Sequence, residues 1–251
     1  MENEMLIINN MDFKVCYQPI VNTETDRIVS MEALVRPRTS WGKIESPQHI
    51  INYAEDHFMV DRIDRYVMDQ ICHMIRRNNL DNGAMTFHIN ISPVELDDDQ
   101  IVKQFNDLAS NYEIPNQYFV IELLETKEMS SKRYEMLQLF KDYGFQVAMD
   151  DYGTGYSSVT RLLEFDFDCI KISKEMFYQV LANDKAGFLY SRIVSAVREM
   201  GIDVVQEGIE TEYQYDIIRR AGVNLAQGYF FSKAVSEEKM INYLKDQRSV
   251  A

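Results

Sequence analysis

The sequence predicts an α/β fold: a modified, TIM-like (β/α)8 barrel with one antiparallel strand near the N-terminus. Three observations predict it. Short β-like runs alternate with helical periods along the chain, which implies a mostly parallel sheet with right-handed crossovers. The length of 251 residues suits one such barrel. The first two β-like runs are separated only by a polar turn, so they form a hairpin and one of them must run against the rest. No Ser/Gly-rich or Pro-rich tract divides the chain, so residues 1–251 read as a single domain with a core over about 13–245.

The elements follow in order. Phe13 to Ile20 and Arg27 to Val35 are strands flanking a turn at Asn22 to Asp26. Ser46-Pro47 opens a helix that runs to about His57. Asp61 to Arg76 is amphipathic, with Ile63, Tyr66, Val67, Ile71, Met74 and Ile75 at helical spacing. Ala84 to Asn90 is a strand, and Ser92-Pro93-Val94-Glu95 has the pattern of a capping-box helix start. Asp97-Asp98-Asp99 reads as a cap, where negative charge suits a helix N-terminus. Strands at Tyr118 to Leu124, Gln146 to Asp150, Cys169 to Ile172, Asp203 to Gln206 and Val223 to Ala226 then alternate with helices. Those helices cover Ser130 to Tyr143, a short piece from Ser157, Lys185 to Met200, Thr211 to Ala221 and Ser236 to Asp246.

Composition removes several function classes. The net charge of −14 disfavours duplex nucleic acid, because phosphate repels carboxylate; a phosphate-bearing ligand would need a bound cation as intermediary. The cysteines Cys16, Cys72 and Cys169 are odd in number and widely spaced, which argues against a disulfide framework or zinc ribbon and favours a reducing, cytoplasmic setting. The start Met1-Glu2-Asn3-Glu4 lacks a signal-peptide pattern, and no apolar run is long enough to insert in a membrane. Fourteen methionines read as core filler. His49, His57, His73 and His88 form no metal-binding motif; His88 shares a strand face with Asn90, which leaves open a place beneath the site, with core packing the favoured reading.

The chemistry-bearing residues sit at strand ends. The second strand carries Glu32, the next ends at Asn90, and Glu122, Asp150 with Asp151, Lys171, Glu207 and Gln227 follow. In a barrel these C-terminal ends converge on one face, where active sites are built. Crowded carboxylates are costly unless cations neutralise them. Oxygen-only ligation points to a hard ion, Mg²⁺ or Mn²⁺. Glu32 interrupts an apolar strand and Lys171 lies between Ile170 and Ile172, so neither is easily explained as a surface group. Gly153-x-Gly155 is only weakly like a phosphate loop, and no Gly-Lys-Ser follows.

The same residues carry a family resemblance. Met31-Glu32-Ala33-Leu34-Val35-Arg36, with Tyr17-Gln18-Pro19-Ile20 upstream, resembles the signature of the EAL-domain cyclic di-GMP phosphodiesterase family. Asn90-Ile91-Ser92, Glu122-Leu123-Leu124-Glu125, Ile170-Lys171-Ile172, Glu207-Gly208-Ile209-Glu210-Thr211, Gln227-Gly228-Tyr229 and the ten residues Met149 to Ser158 match in order and spacing. The resemblance implies a distorted barrel that hydrolyses cyclic di-GMP to pGpG with two Mg²⁺ or Mn²⁺ ions. It assigns Glu32, Asn90, Glu122 and Asp150 to one ion, and Asp150, Asp151 and Glu207 to the other. Lys171 would contact the attacking water, and Glu207 would orient or deprotonate it. Gln18, Leu34, Arg36 and Gln227 would touch substrate. Apart from the resemblance, Trp41 reads as a surface aromatic on the loop after Arg36, with contact to a guanine the lesser reading. Glu125 would order the loop after Asp151, and Glu210 would support Glu207. The resemblance further implies a homodimer paired near that loop. No sensory or cyclase domain fits in the remaining residues, so regulation is expected from outside, through an unidentified partner protein, or through dimerisation.

The departures are Ser173 for a usual Asp, Leu124 for Thr, Gln206 for Ala, Pro37 for Trp and Ala234 for Pro. None removes an expected ligand. They leave open an alternative in which a weakened domain acts as a cyclic di-GMP receptor or an interaction module.

Overall fold

The computed structural model describes residues 6–9, 11–39, 46–81, 83, 85–97, 99–124, 130–154 and 159–248. A two-residue strand, β1 (Ile7–Ile8), leads into the long hairpin β2 (Met11–Asn22) and β3 (Ile28–Thr39). Helices α1 (Pro47–Asp56) and α2 (Val60–Asn78) precede β4 (Thr86–Ile91), and α3 (Gln100–Asn111) precedes β5 (Phe119–Leu124). Then come α4 (Ser131–Asp142), β6 (Gln146–Tyr152), α5 (Val159–Glu164), β7 (Cys169–Ile172), α6 (Lys174–Ala182) and α7 (Asp184–Glu199). The order ends with β8 (Asp203–Gln206), α8 (Glu212–Arg220), β9 (Leu225–Ala226) and α9 (Glu237–Arg248).

Strands β3 to β9 pair in sequence and all in parallel, whereas β2 pairs antiparallel with both β3 and β9 and so closes an eight-stranded barrel. The expected barrel with one reversed strand is the observed one. β1 is an extra strand on the edge of β2.

Two apolar layers hold the barrel. The larger fills the space between sheet and helices, with Met68, Ile71, Phe105, Phe140 and Val194 from the helices packed on Met31, Phe87, Ile121 and Ile170 from the strands. The smaller plugs the barrel's interior with Ile20, Val120, Ala148, Cys169, Val205 and Leu225, each from a different strand. The side-chain period of a strand is two, so the residue two steps beyond each of these faces the same interior. Those residues are Gln18 on the reversed β2, Glu122, Asp150, Lys171, Glu207 and Gln227. The plug thus forms a dry floor beneath a polar ring.

Several local expectations are corrected. Ser92-Pro93-Val94-Glu95 starts only a 3-10 turn, Pro93–Asp97, and the helix begins at Gln100. The Ser92 hydroxyl is drawn to Glu55 Oε1 at 2.5 Å, and Glu95 is buried instead of capping. Asp99 precedes α3 without a side-chain cap bond, and Asp98 lies outside the described residues. A separate helix, α6, was not anticipated; Ser173 caps it by accepting from the Met176 N–H at 3.2 Å. α8 carries a full capping box, in which Thr211 accepts from the Gln214 N–H and Gln214 accepts from the Thr211 N–H.

Candidate active site

The polar ring converges on one lysine. Lys171, 1% exposed, places Nζ 3.0 Å from Glu122 Oε2, 3.0 Å from Glu207 Oε1, 3.1 Å from Glu32 Oε2 and 3.4 Å from Asp150 Oδ1. Four strands contribute these five side chains, together with the residue just past β8. Around them, Asn90 Nδ2 donates to Glu32 Oε1 at 2.7 Å and Gln227 Nε2 donates to Glu32 Oε2 at 2.7 Å. Donation through Nδ2 leaves the Asn90 carbonyl oxygen as its remaining ligating atom. Gln227 Oε1 is buried and meets no donor among the described residues.

Asp150, Asp151 and Glu207 each offer a carboxylate oxygen within 4.8 Å of the others. Asp151 reaches this place through a left-handed backbone, φ 57°, uncommon for a residue with a side chain and of the kind found at functional turns. Its own N–H donates back to Asp150 Oδ1 at 3.0 Å. Gly153, at φ 102°, lies so close to Met176 that a β-carbon would overlap that side chain.

The electrostatics follow from burial and from the Lys171 ammonium. Burial raises the Glu32 carboxyl, but Lys171, Gln227 and Asn90 outweigh it and hold it down at about 2. Burial pushes Glu122 well above the carboxylate range despite Lys171, and pushes Glu207 up to about 8. Burial and then the Asp150 charge raise Asp151. Burial would lower Lys171, yet Asp150, Glu122, Glu207 and Glu32 together raise it well above its ordinary value. One ammonium therefore cannot satisfy all the carboxyls facing it.

The remaining expected residues lie at the mouth. Gln18 Nε2 donates to the Ser232 carbonyl at 3.2 Å. Two cavities of about 280 and about 310 Å³ share Glu32 and Leu34; Arg36, Asn90 and Asp64 line the first, and Gln18, Glu207, Gln227 and Tyr229 the second. The Arg36 guanidinium currently donates to its neighbour, the Val35 carbonyl, at 2.8 Å. Glu210 pairs with Lys174 at 2.5 Å. Glu125, Trp41 and residues 155–158 lie outside the described residues.

Two further residues support the ring. His88, favoured as core filler, is indeed buried, but its Nδ1 sits 2.6 Å from Glu122 Oε1. Burial lowers it to about 3, so it is a neutral imidazole. Its position two residues before Asn90 was the available signal. Gln206, seen only as a departure, is fully buried and bonded to the strand ends beside the site.

The EAL domain model matches residues 3–234, most of the chain. The chain belongs to the EAL domain family. This family includes cyclic di-GMP phosphodiesterases. The chain is 26% identical over 238 residues to the cyclic di-GMP phosphodiesterase RocR of Pseudomonas aeruginosa, covering 94% of this chain and 61% of RocR. It spans 30% of the length of two further curated relatives. Among solved structures, the EAL enzyme Bd1971 in its cAMP- and cyclic-di-GMP-bound form superposes with a TM-score of 0.83 at 27% identity, over 92% of this chain and 64% of that one. The Klebsiella pneumoniae protein BlrP1, as a manganese/cyclic di-GMP complex, gives 0.78 at 25% identity, over 92% and 58%. No helix among the described residues is long and apolar enough to cross a membrane.

Proposed function

We propose that this chain is a cytoplasmic, metal-dependent phosphodiesterase that hydrolyses cyclic di-GMP to linear pGpG, acting as one barrel domain. The observation that carries it is the charge imbalance at the strand ends: the carboxyls of Glu32, Glu122, Asp150 and Glu207 crowd the Lys171 ammonium, and Asp151 adds a fifth carboxyl beside Asp150 and Glu207. A fully ionised set would keep an excess of four negative charges, which two divalent cations would offset. The donor set fits such ions, being all oxygen and preorganised by Asn90, Gln227 and His88. Glu32, Asn90, Glu122 and Asp150 would hold one Mg²⁺ or Mn²⁺, and Asp150, Asp151 and Glu207 the second. Bound there, the ions would supply water activation and neutralise phosphoryl charge.

The chain's own residues supply the rest. Lys171 holds an ammonium where negative charge develops on the attacking water. Glu207, 3.0 Å from that ammonium, orients the water and accepts its proton. Arg36 turns its fork from the Val35 carbonyl to a substrate phosphate. Gln227 Oε1, which meets no donor among the described residues, receives one from the nucleotide, while Gln18 and Leu34 line the same cavity. Glu125 orders the loop after Asp151, and Glu210 with Lys174 shapes the mouth. A homodimer paired near that loop belongs to the same reading, on the family resemblance. An unidentified partner protein would regulate it.

The test is incubation with cyclic di-GMP and Mg²⁺ or Mn²⁺, with products separated by chromatography. Appearance of pGpG, abolished by chelator, is the expected result. Binding without turnover would favour the receptor reading, and the absence of both would leave an interaction module.

A further inference from the structure

We infer that Gln206 is a positioning residue that fixes Lys171 and Glu207 relative to one another; this deepens the proposed site and rests on it. Gln206 alternates with Val205 and Glu207, so its side chain leaves the barrel on the outer face, toward the helices. It is 0% exposed, and a buried amide must find partners for both its ends. The NH2 end donates to the Ile172 carbonyl at 3.1 Å and to the Glu207 carbonyl at 2.9 Å, with the Ser173 carbonyl at 3.5 Å. The carbonyl end accepts from the Tyr190 hydroxyl on α7 at 2.7 Å. Carbonyls surround one end and a hydroxyl the other, which fixes the amide's orientation.

The placement is what gives this bond set a role beyond filling space. Ile172 follows Lys171, and Gln206 precedes Glu207. The ladder between β7 and β8 ends here, its last bond running from the Glu207 N–H to the same Ile172 carbonyl at 3.1 Å. Past that point the Glu207 backbone is no longer in a strand, and Gly208 adopts a left-handed φ of 71°. The Gln206 side chain continues the cross-link one step further, with α7 as anchor through Tyr190. On its main chain, the Gln206 carbonyl accepts from the Gln227 N–H at 2.9 Å. A single residue thus ties together the ends of β7, β8 and β9, which deliver Lys171, Glu207 and Gln227.

Two variants test this: Gln206→Met, which keeps volume with no donor and only a weak thioether acceptor, and Tyr190→Phe, which releases only the anchor. Hydrogen–deuterium exchange on metal-free protein is the first readout. Faster exchange confined to residues 170–174 and 204–209, by about tenfold in Gln206→Met, is expected. Mn²⁺ titration should show about tenfold weaker binding, and kcat should fall by about tenfold or more with KM for cyclic di-GMP within about threefold. Tyr190→Phe should move each readout in the same direction by less, and it serves alone should Gln206→Met fail to fold. Wild-type exchange in both segments would overturn the inference. So would acceleration spread evenly over the barrel, the mark of a merely structural residue. Should wild-type protein neither bind Mn²⁺ nor cleave, the proposed function fails, and the exchange experiment still decides the clamp.

Discussion

Replacing Glu95 by glutamine should flatten the pH dependence of stability. Glu95 sits on the 3-10 turn after β4, and neither carboxyl oxygen meets a donor among the described residues. Burial first, and the facing Asp64 carboxyl second, push it up to about 11. Burial likewise raises Asp64 to about 6. At neutral pH the folded chain therefore keeps a proton on Glu95 that the unfolded chain, with a carboxyl near 4.5, releases. Both are raised acids, so the sign is clear: the penalty is absent at low pH, grows through the interval from 4.5 to about 11, and weakens the fold as pH rises. The slope is about 1.4 kcal/mol per pH unit, so moving from pH 6 to 8 costs about 2.7 kcal/mol through Glu95 alone. Asp64 adds to this only between 3.8 and about 6. Glu95→Gln keeps the shape, needs no proton and offers Asp64 a donor. Melting curves of both proteins at pH 6, 7 and 8 report the difference, in which unrelated groups cancel. Wild type should lose about 5–10 °C more than the variant across that range. Parallel profiles would refute a shared-proton pair.

Further outcomes follow from the site. Glu32→Ala should abolish pGpG formation, and retained turnover would sink the proposed ligand set. Lys171→Ala should lower turnover and, by stranding buried carboxylates, cost the metal-free fold about 3–5 kcal/mol, which added Mn²⁺ should partly restore; loss of Mn²⁺ binding in a titration would show its assigned role to be wrong. His88→Leu should reduce kcat about 10- to 100-fold by releasing Glu122, and His88→Gln should recover part of it; unchanged kinetics would return His88 to core filler. Gly228→Ala should destabilise by about 3 kcal/mol in denaturant unfolding, because a β-carbon there overlaps the Ile209 backbone, which cannot give way as a side chain can.

The fold was legible where periodicity is strong and tertiary contacts do not compete with it. The hairpin, the seven parallel strands and helices such as α2 each announce themselves by spacing, and the antiparallel strand follows from a turn too short for a crossover. β1 has two residues, too few to show any period. α6 was hidden between β7 and α7, although Ser173 carries an N-cap signal. Ser92 to Glu95 misled because Glu55 and Asp64, far off in sequence, draw Ser92 and Glu95 into the packing of α1 and α2 against β4.

The same division runs through the site. A carboxylate or lysine in an apolar strand is conspicuous because its burial needs a reason, so Glu32 and Lys171 stand out from their place in the sequence. The supports do not. His88 becomes informative only when β5 brings Glu122 beside it, and Gln206 only when α7 brings Tyr190. Both replace the solvation that a buried group has lost, so their meaning lies in a partner and not in a motif. This bears on the departures from the family pattern. Ser173 and Gln206 each direct polar atoms at backbone, one capping α6 and the other bridging the strand ends, without withdrawing a donor from the carboxylate ring. Such substitutions change how firmly the ring is held and leave its composition intact. Turnover in variants of these two residues should therefore vary in degree, whereas loss of Glu32 removes the chemistry.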